Sequence, residues 1–410
     1  MSDAPDLSAC ASKLLSGLKI GLMLNDDFSM LNFRGGLIRQ LVARGADVTL
    51  FVPPGKFTGA LEKLGVRVVT IPMYRFMSPI RDLGLIWRLY RVLKREHVDI
   101  LHTMTIKPNI YGAIAAKAAG TPKVVGLVSG AGTVFARRRG FKDHVIGAIT
   151  AFLYKTGFKL HSRVWFQNPD DADEFVQSNL LPREKVVVIR SGGINTNDYA
   201  PGAVDPAVIA RLRQELGIRP DEKCVVTIAR MIWSKGVGVF VEAARQLQDV
   251  EGWRFVALVP WDSDSPEGIS ESFVAENRLK NLIMVTEFRT DARTFAGMAD
   301  IGCLPSYYRE GVPRSMLEFL AFGVPVVTTD WIGCKEVVID GQNGFLVPIQ
   351  DPAELAKRLS QLLLDEELRT RMGVASRALA VAEFSESVVA ERIIADVYGL
   401  KPTGDCHAGA

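Results

Sequence analysis

The sequence predicts an α/β protein made of two doubly wound, parallel-sheet domains. Its 410 residues are too many for one typical hydrophobic core. Short apolar runs alternate with helix-like segments, an order typical of parallel strands connected by helices. The alternation is interrupted by a polar, proline-containing stretch near residues 195–222 and then starts again. We therefore expect two Rossmann-like halves joined near residue 200.

The apolar runs give the predicted strands in chain order. In the first half they lie at 18–24, 47–52, 66–71, 98–102, 123–128, 163–167 and 185–190, with helix-like segments such as 83–96 and 109–119 between most of them. In the second half they lie at 223–229, 253–259, 282–286, 300–304 and 324–328. The predicted parts are an N-terminal tail at 1–17, a first domain at 18–197, a second domain at 198–380, a last helix at 381–400 and a tail at 401–410.

The composition excludes several classes of protein. With 48% hydrophobic and 23% charged residues, it is that of an ordinary globular domain, and a net charge of +3 gives no argument for a nucleic-acid partner. The start does not resemble a secretory signal, and the longest apolar run, near 145–154, is about half of what a membrane span needs. Five scattered cysteines without a CxxC motif indicate a reducing cytoplasm, with no disulfide framework and no zinc site.

Glu310 and Glu318 are the most informative pair, in the run PSYYREGVPRSMLEFLAFGVPVVTTD at 305–330. On a helix their spacing is a little over two turns, so both carboxylates would point to nearly the same face. Gly311 and Pro313 lie where a helix would start, and free N–H groups there attract anions. We expect an anion cradle beside two carboxylates that accept hydrogen bonds from sugar hydroxyls. The alternative is an amphipathic helix with both glutamates on its solvated face.

With this element, the chain resembles the retaining glycosyltransferases of family 4, which have a GT-B fold of two Rossmann-like domains facing a central cleft. The Glu-x7-Glu element belongs to that family. The resemblance continues through GCKEVVIDGQNGFLVPIQDPAELAKRL at 333–359 and IARMIWSKGVGVFVEAA at 228–244. It implies that the second domain binds a sugar nucleotide and that the last helix crosses back to the first domain.

Arg230 and Lys235 follow a predicted strand, and two cations at a strand end suit a diphosphate. The charge of a nucleoside diphosphate grows as it leaves, and fixed cations that stabilise this charge accelerate transfer. The resemblance assigns them that role, with Glu310 against the hexose as a further catalytic residue. It also implies donor contacts from Glu318 to the ribose, from the backbone near Gly311, Val312, Pro313 and Arg314 to phosphate, and from Phe288 and Arg289 to the nucleobase. The alternative for the two cations is an ordinary surface pair.

The sequence predicts neither a metal nor another cofactor. Asp262 and Asp264 have Asp-x-Asp spacing, but they follow a predicted strand in what we expect to be a surface loop. Because magnesium sites usually include a phosphate ligand, we do not expect this pair to bind a metal ion. Positive side chains would replace the ion. The loop departs from the family, which usually has a glycine where Val259-Pro260-Trp261 stands.

The first half resembles the branch that acts on undecaprenyl-diphosphate-linked sugars. Asn32-Phe33-Arg34 opens a helix where many members have a glycine-rich loop, and HTMTIKPNIYGAIAAKAAG at 102–120, SGAGTVF at 129–135 and FQNPDDADEF at 166–175 extend the likeness. It implies acceptor contacts at Asn32, Arg34, Lys107 and Gly130. Arg34 and Lys107 are candidates for the acceptor diphosphate, the alternative being simple surface cations.

His102 closes a predicted strand, VDIL. The resemblance places it among the catalytic residues, near the donor sugar or the acceptor hydroxyl. Because the departing phosphate is generally viewed as taking the acceptor proton in this family, His102 would position groups instead of acting as an obligatory base. The alternative is a structural histidine.

Two basic, aromatic stretches, 73–95 and 137–163, predict contact with an anionic membrane surface. Val145, Ile146, Ile149, Phe152 and Leu153 fit helical spacing in the second stretch. The alternative is a pair of core helices with solvated charges.

The expected function is retaining transfer of a hexose or N-acetylhexosamine from a UDP-sugar to a polyprenyl-diphosphate-linked saccharide, in bacterial surface polysaccharide or glycan biosynthesis. The enzyme would be peripheral on the cytoplasmic face of the plasma membrane. Three alternatives remain open: a soluble transferase with a small acceptor, a UDP-sugar epimerase, and a non-catalytic UDP-sugar binder.

Overall fold

A computed structural model describes residues 15–73, 79–130, 141–262 and 265–400. The chain divides into two compact units. The first unit comprises the residues up to Gly193 together with those from Glu386 onward, and the second runs from Ile194 to Ser385.

The first unit contains a seven-stranded parallel sheet in the order β3-β2-β1-β4-β5-β6-β7. Its strands are β1 (Lys19–Met23), β2 (Asp47–Val52), β3 (Arg67–Thr70), β4 (Ile100–Met104), β5 (Lys123–Val128), β6 (Arg163–Phe166) and β7 (Val186–Val188). Its helices up to this point are α1 (Asp27–Ala43), α2 (Thr58–Glu62), α3 (Pro79–Glu96), α4 (Ala113–Ala119), α5 (Phe141–Lys159) and α6 (Pro169–Gln177). A π-helical turn, Pro108–Gly112, precedes α4.

The second unit contains a six-stranded parallel sheet in the order β10-β9-β8-β11-β12-β13. Its strands are β8 (Lys223–Ile228), β9 (Trp253–Leu258), β10 (Leu282–Val285), β11 (Ile301–Leu304), β12 (Val326–Thr329) and β13 (Gly344–Val347). Its helices are α7 (Pro206–Glu215), α8 (Val237–Gln246), α9 (Glu271–Glu276), α10 (Ala292–Gly297), α11 (Arg314–Ala321), α12 (Pro352–Leu364) and α13 (Glu366–Phe384).

The last helix, α14 (Glu386–Arg392), and the π-helical turn Ile393–Val397 complete the first unit. Two ion pairs join α14 to α1: Arg39 to Glu386 at 3.0 Å and Arg44 to Glu391 at 3.3 Å. Apolar side chains from this segment, including Val389 and Tyr398, are buried in the same core as residues of β1 and α1. The segment 386–398 therefore contributes to the first unit's core.

β13 is a strand that the sequence analysis missed. It pairs with β12 in the register Val326↔Gly344, and a Cβ at position 344 would overlap the carbonyl oxygen of Val326. Four residues contain too few alternating positions to distinguish a short strand from an apolar turn. Gly344 makes β13 harder to recognise in the sequence, because glycine is uncommon in strands, but its lack of a Cβ lets β13 lie close to β12.

The central strands of both sheets are buried on two faces, as parallel strands covered by helices should be, whereas the edge strands β3, β7 and β10 are only partly buried. Their strands consequently appear in the sequence as short continuous apolar runs. Among the helices in the described ranges, none is both long and apolar enough to cross a bilayer.

Candidate active site

The candidate site lies at the carboxyl edge of the second sheet. Strands β8, β9 and β10 follow one another toward one edge of the sheet, and β11, β12 and β13 follow one another toward the other edge. β8 and β11 are therefore neighbours at the point where the strand order reverses. Open α/β sheets bind ligands outside the carboxyl ends of the strands at such a point. Arg230 follows β8, and Glu310 follows β11.

Glu310 lies in a loop, not on a helix. Because α11 begins only at Arg314, the prediction that Glu310 and Glu318 share one helical face is wrong. Pro313 is the residue before the helix and has an extended backbone (φ −64°, ψ 122°). Proline also disfavours helical geometry in the residue that precedes it, so Val312 cannot extend the helix toward Glu310 without strain.

Gly333 holds this loop in place from the other side. Its φ of +82° lies in the left-handed region, where glycine is favoured. A Cβ at position 333 would overlap the carbonyl oxygens of Glu310 and Gly311. The loop thus packs directly against the backbone that follows β12, which restricts where the Glu310 carboxylate can lie.

Lys235 and Glu310 form an ion pair. The Lys235 ammonium lies 2.6 Å from a Glu310 carboxylate oxygen, and both side chains are largely buried. Gly236, at φ +76°, lets this loop pass close to Pro305, whose carbonyl oxygen a Cβ would overlap. The Tyr307 amide also donates to the Ser234 carbonyl oxygen at 2.8 Å. Backbone contacts therefore fix the separation between the two strand-end loops.

Arg230 makes the second ion pair of the site. Its guanidinium donates to an Asp262 carboxylate oxygen at 2.8 Å, while half of the arginine side chain remains exposed. Both cations also lie against the ring of Tyr308, at 5.4 Å for the Arg230 Cζ and 5.1 Å for the Lys235 Nζ. Tyr308 was missed by the sequence analysis. One sequence feature could have identified it: Tyr308 is an aromatic residue two positions before Glu310, in the loop after a buried strand.

Glu318 is buried on α11 and does not lie on a solvated face. Arg314 Nε donates to its carboxylate at 3.0 Å, and Tyr199 is a second hydrogen-bond partner of both. Burial raises the pKa of the Glu318 carboxyl, and the neighbouring Arg314 opposes that shift. Burial, followed by the charge of Glu318, raises the pKa of Tyr199 to about 12. Glu318 is thus held in a polar cluster that excludes the amphipathic-helix alternative for this residue.

Phe288 and Arg289 follow β10, two strands away from β8. Phe288 is 74% exposed. Arg289 donates to Asp291 at 2.7 Å and also pairs with Glu215. The hydrogen bond from Arg289 holds the pKa of the Asp291 carboxyl below its usual value. Because two carboxylates already engage the Arg289 guanidinium, its backbone is better suited than its side chain to contact a base.

The candidate metal loop places Asp262 against Arg230, whereas Asp264 lies outside the described residues. In the described ranges there is no cluster of three or more histidine, cysteine or acidic side chains able to hold a metal ion.

The cations predicted for the acceptor site are buried in the first unit. Lys107 pairs with Asp82 at 2.6 Å, and the Tyr111 hydroxyl donates to the other Asp82 oxygen at 3.1 Å. Arg34 lies over the Trp165 ring at 5.6 Å and is 5% exposed. Neither is a simple surface cation. For Lys107 to bind a diphosphate, its pair with Asp82 would have to open.

Asn32 and Gly130 are the other two predicted acceptor residues. Asn32 is exposed on α1, and its amide donates to the Phe28 carbonyl oxygen at 2.9 Å. Gly130 lies just beyond the end of β5. Both follow carboxyl ends of the first sheet. The rest of the SGAGTVF motif, from residue 131, lies outside the described part of the chain.

His102 lies in the middle of β4, not at its end as predicted. It is fully buried, and its Nδ1 is 3.0 Å from the Tyr398 hydroxyl. Burial, with a smaller contribution from Arg34, lowers its pKa to about 3, so the ring is neutral at physiological pH. These contacts match the alternative of a structural histidine. The run VDIL did not show that β4 continues through Met104.

The comparisons with known proteins agree with this architecture. The family model Glycosyl transferases group 1 matches residues 208–379, and the Glycosyl transferase 4-like domain matches residues 33–192. Over 379 residues the chain is 31% identical to the N,N'-diacetylbacillosaminyl-diphospho-undecaprenol alpha-1,3-N-acetylgalactosaminyltransferase of Campylobacter jejuni, covering 92% of this chain and 97% of that relative.

Two further proteins are similar over most of their length. The chain is 25% identical to the UDP-Gal:alpha-D-GlcNAc-diphosphoundecaprenol alpha-1,3-galactosyltransferase of Escherichia coli, and the match covers 77% of this chain and 79% of that relative. The crystal structure of Anabaena Alr3699/HepE in complex with UDP has a TM-score of 0.74 at 18% identity, covering 93% of this chain and all of that one. The first of the three relatives shows the family, and the last shows the fold. The chain belongs to the family 4 glycosyltransferases of GT-B fold, as its sequence predicts.

Proposed function

We propose that this glycosyltransferase moves a hexose or N-acetylhexosamine from a UDP-sugar to a polyprenyl-diphosphate-linked saccharide, with retention of anomeric configuration. The proposal of a UDP-sugar donor is carried by one observation: Arg230, Lys235 and Glu310 lie together where the strand order of the second sheet reverses. Two cations and one carboxylate match a diphosphate next to a sugar. The named specificities of the bacterial relatives support the acceptor half.

In the reaction, the bond from the sugar anomeric carbon to UDP breaks, and a bond to the acceptor oxygen forms on the same face. The departing phosphate takes the acceptor proton. Arg230 and Lys235 stabilise the growing charge on UDP, and no metal ion is required for that role. Glu310 accepts from sugar hydroxyls, and Glu318 accepts from the ribose.

The loop before α11 is suited to hold phosphate through its backbone. Gly311, Val312 and Arg314 have N–H groups near the start of the helix, where the helix dipole favours an anion. Pro313 has no N–H and can only shape the loop. The phosphate contacts therefore come from the residues on either side of it.

The proposal includes a peripheral position on the cytoplasmic face of the plasma membrane, because a polyprenyl-diphosphate acceptor is anchored in a bilayer. α3 exposes Leu83 and Trp87, by 70% and 58%, and α5 exposes Phe152 by 69%. Arg91 lies over the Trp87 ring at 4.8 Å. Apolar side chains flanked by cations suit an anionic headgroup layer. The predicted stretches also include residues 74–78 and 137–140, which lie outside the described ranges, as do the side chains of Val145 and Ile146.

The test is UDP release from a panel of UDP-sugars, with and without a bacterial polyprenyl-diphosphate-sugar extract, in EDTA. Release that requires one donor and the lipid supports the proposal. Release without lipid would indicate hydrolysis, epimerisation or a small acceptor, and UDP binding without any release would indicate a non-catalytic binder.

Membrane contact has a separate test in vesicle co-sedimentation. Trp87→Ser and Phe152→Ser should each reduce binding to anionic vesicles, whereas Val374→Ser, at an exposed apolar position in the second unit, should not. Equal binding by all variants, or no binding by the wild type at low salt, would contradict a membrane role for α3 and α5.

A further inference from the structure

Asp262 is positioned by a network of backbone hydrogen bonds around the two donor cations. The Met231 amide donates to the Pro260 carbonyl oxygen at 3.1 Å, and the Ile269 amide donates to the Met231 carbonyl oxygen at 3.1 Å. The Trp261 amide donates to Thr286 on the neighbouring strand-end loop at 3.0 Å. The loop that contains Asp262 is therefore bonded on both sides to the segments that flank Arg230.

The same loop closes onto the segment that leads to Lys235. The Trp233 amide donates to the Glu267 carbonyl oxygen at 3.0 Å, and Ile232 forms an antiparallel bridge with Gly268. The Glu267 carboxylate also accepts from the Ser234 hydroxyl. The turn is tight, because a Cβ at position 268 would lie 3.0 Å from the Asp262 carbonyl oxygen. The Asp262 carboxylate is thus held in a defined place beside Arg230.

Both cations of the predicted donor site are engaged by carboxylates in this structure. Arg230 is paired with Asp262, and Lys235 is paired with Glu310. A diphosphate that binds one of these cations directly therefore competes with the carboxylate that holds it. Arg230 is the more available cation, because half of its side chain is exposed and a guanidinium can bind phosphate with two parallel hydrogen bonds. Asp262 then competes with the donor for it.

We propose that Asp262 is an internal counter-ion that competes with the donor diphosphate for Arg230 and thereby weakens donor binding. It is a positioning residue that acts through Arg230. This inference rests on the proposed UDP-sugar donor. It also assigns the first aspartate of the Asp-x-Asp sequence to an ion pair with the protein and not to a metal ion.

The test compares UDP binding by wild type and Asp262→Asn, using calorimetry in EDTA. Asparagine keeps the shape of the side chain and removes its charge. For a partly exposed ion pair, UDP should bind about two- to fivefold more tightly to the variant. Uridine, which lacks phosphate, should bind both proteins equally. Asp249→Asn is the matched control, because Asp249 is an exposed aspartate of the same unit.

A double variant tests whether the effect passes through Arg230. In an Arg230→Gln background, Asp262→Asn should no longer change the affinity for UDP. A tightening that persists there, or equal affinity of wild type and Asp262→Asn, would overturn the counter-ion role. Tighter UDP binding by the wild type in Mg²⁺ than in EDTA, with that gain lost in Asp262→Asn, would overturn it in favour of a metal ligand. Failure of the wild type to bind UDP would instead refute the proposed donor, and with it this inference.

Discussion

Two lysine–carboxylate pairs in this protein have the same contact distance but differ in how far they are exposed. Lys107 and Asp82 in the first unit, and Lys235 and Glu310 in the second, each meet at 2.6 Å. The first pair is buried, with side chains 5% and 6% exposed, and Tyr111 completes its hydrogen bonds. The second pair keeps 11% and 18% exposure at the carboxyl edge of its sheet. Contact distance alone therefore does not distinguish an ion pair in the core from one at the edge of a sheet where a ligand is proposed to bind.

Replacing Lys235 should have the largest effect on activity and a small effect on stability. Loss of a cation that stabilises the leaving charge should lower kcat about 10²- to 10³-fold in Lys235→Ala. Glu310→Gln should lose turnover to a similar extent. Thermal unfolding should stay near the wild-type midpoint, because the pair lies at the sheet edge. Wild-type rates in either purified variant would refute the donor-site assignment.

Replacing Lys107 should show the reverse pattern. Lys107→Met removes the ammonium that pairs with the buried Asp82 carboxylate, which should lower the free energy of unfolding by about 3–5 kcal/mol. Urea denaturation measures this loss. The double variant Asp82→Asn/Lys107→Met should recover part of it, since no uncompensated charge remains. Unchanged stability with a raised KM for the lipid acceptor would instead favour the predicted acceptor role.

The burial of His102 can be tested through the pH dependence of the free energy of unfolding. The unfolded chain binds a proton at this histidine near pH 6.5, whereas the folded protein does so only near pH 3. Its contribution to stability is therefore full above pH 6.5 and is lost as pH falls toward 3. His102→Gln should reduce the acid slope of unfolding free energy by up to about 1.4 kcal/mol per pH unit. The variant still contains His161, whose pKa is lowered to about 4 by burial, so that histidine's own contribution to the acid slope of the unfolding free energy should remain.

An unchanged acid slope in His102→Gln would contradict the buried, neutral state of this histidine. A large loss of kcat in a variant of normal stability would restore the predicted role near the reacting groups.

Tyr308 should give the smallest effect. Cation–π contact at a partly exposed site contributes about 0.5–1 kcal/mol, so Tyr308→Leu should lower kcat/KM about two- to fivefold. Tyr308→Phe keeps the ring and should stay close to wild type. Equal losses in both variants would assign the effect to the hydroxyl and not to the ring.

The fold was largely predictable because parallel strands buried on both faces produce apolar runs that recur at the spacing of a strand and its helix. The twelve predicted strands all correspond to observed ones. β13 was missed because it is short and begins with glycine. Arg230, Lys235 and Glu310 could be predicted to lie at one edge of the second sheet because each follows such a run, and the carboxyl ends of parallel strands meet at one edge.

What the sequence could not supply was the partner of each polar side chain. His102, Lys107 and Arg34 have the residue types and approximate positions of site residues, yet Tyr398, Asp82 and Trp165 surround them in the core. Asp262 lies in a loop after β9, as expected, but its pairing with Arg230 was not predicted. Those partners lie tens to hundreds of residues away along the chain, so no local pattern identifies them.

The sequence alone was enough to determine the family, the α/β class and the strand-end position of Arg230, Lys235 and Glu310, because these depend on local periodicity and short motifs. Only the tertiary structure decided which cations stay near the surface and which are buried in ion pairs. Burial and pairing set the free-energy cost of moving a charge. That cost depends on every element packed around the side chain, and so it is a property of the folded chain.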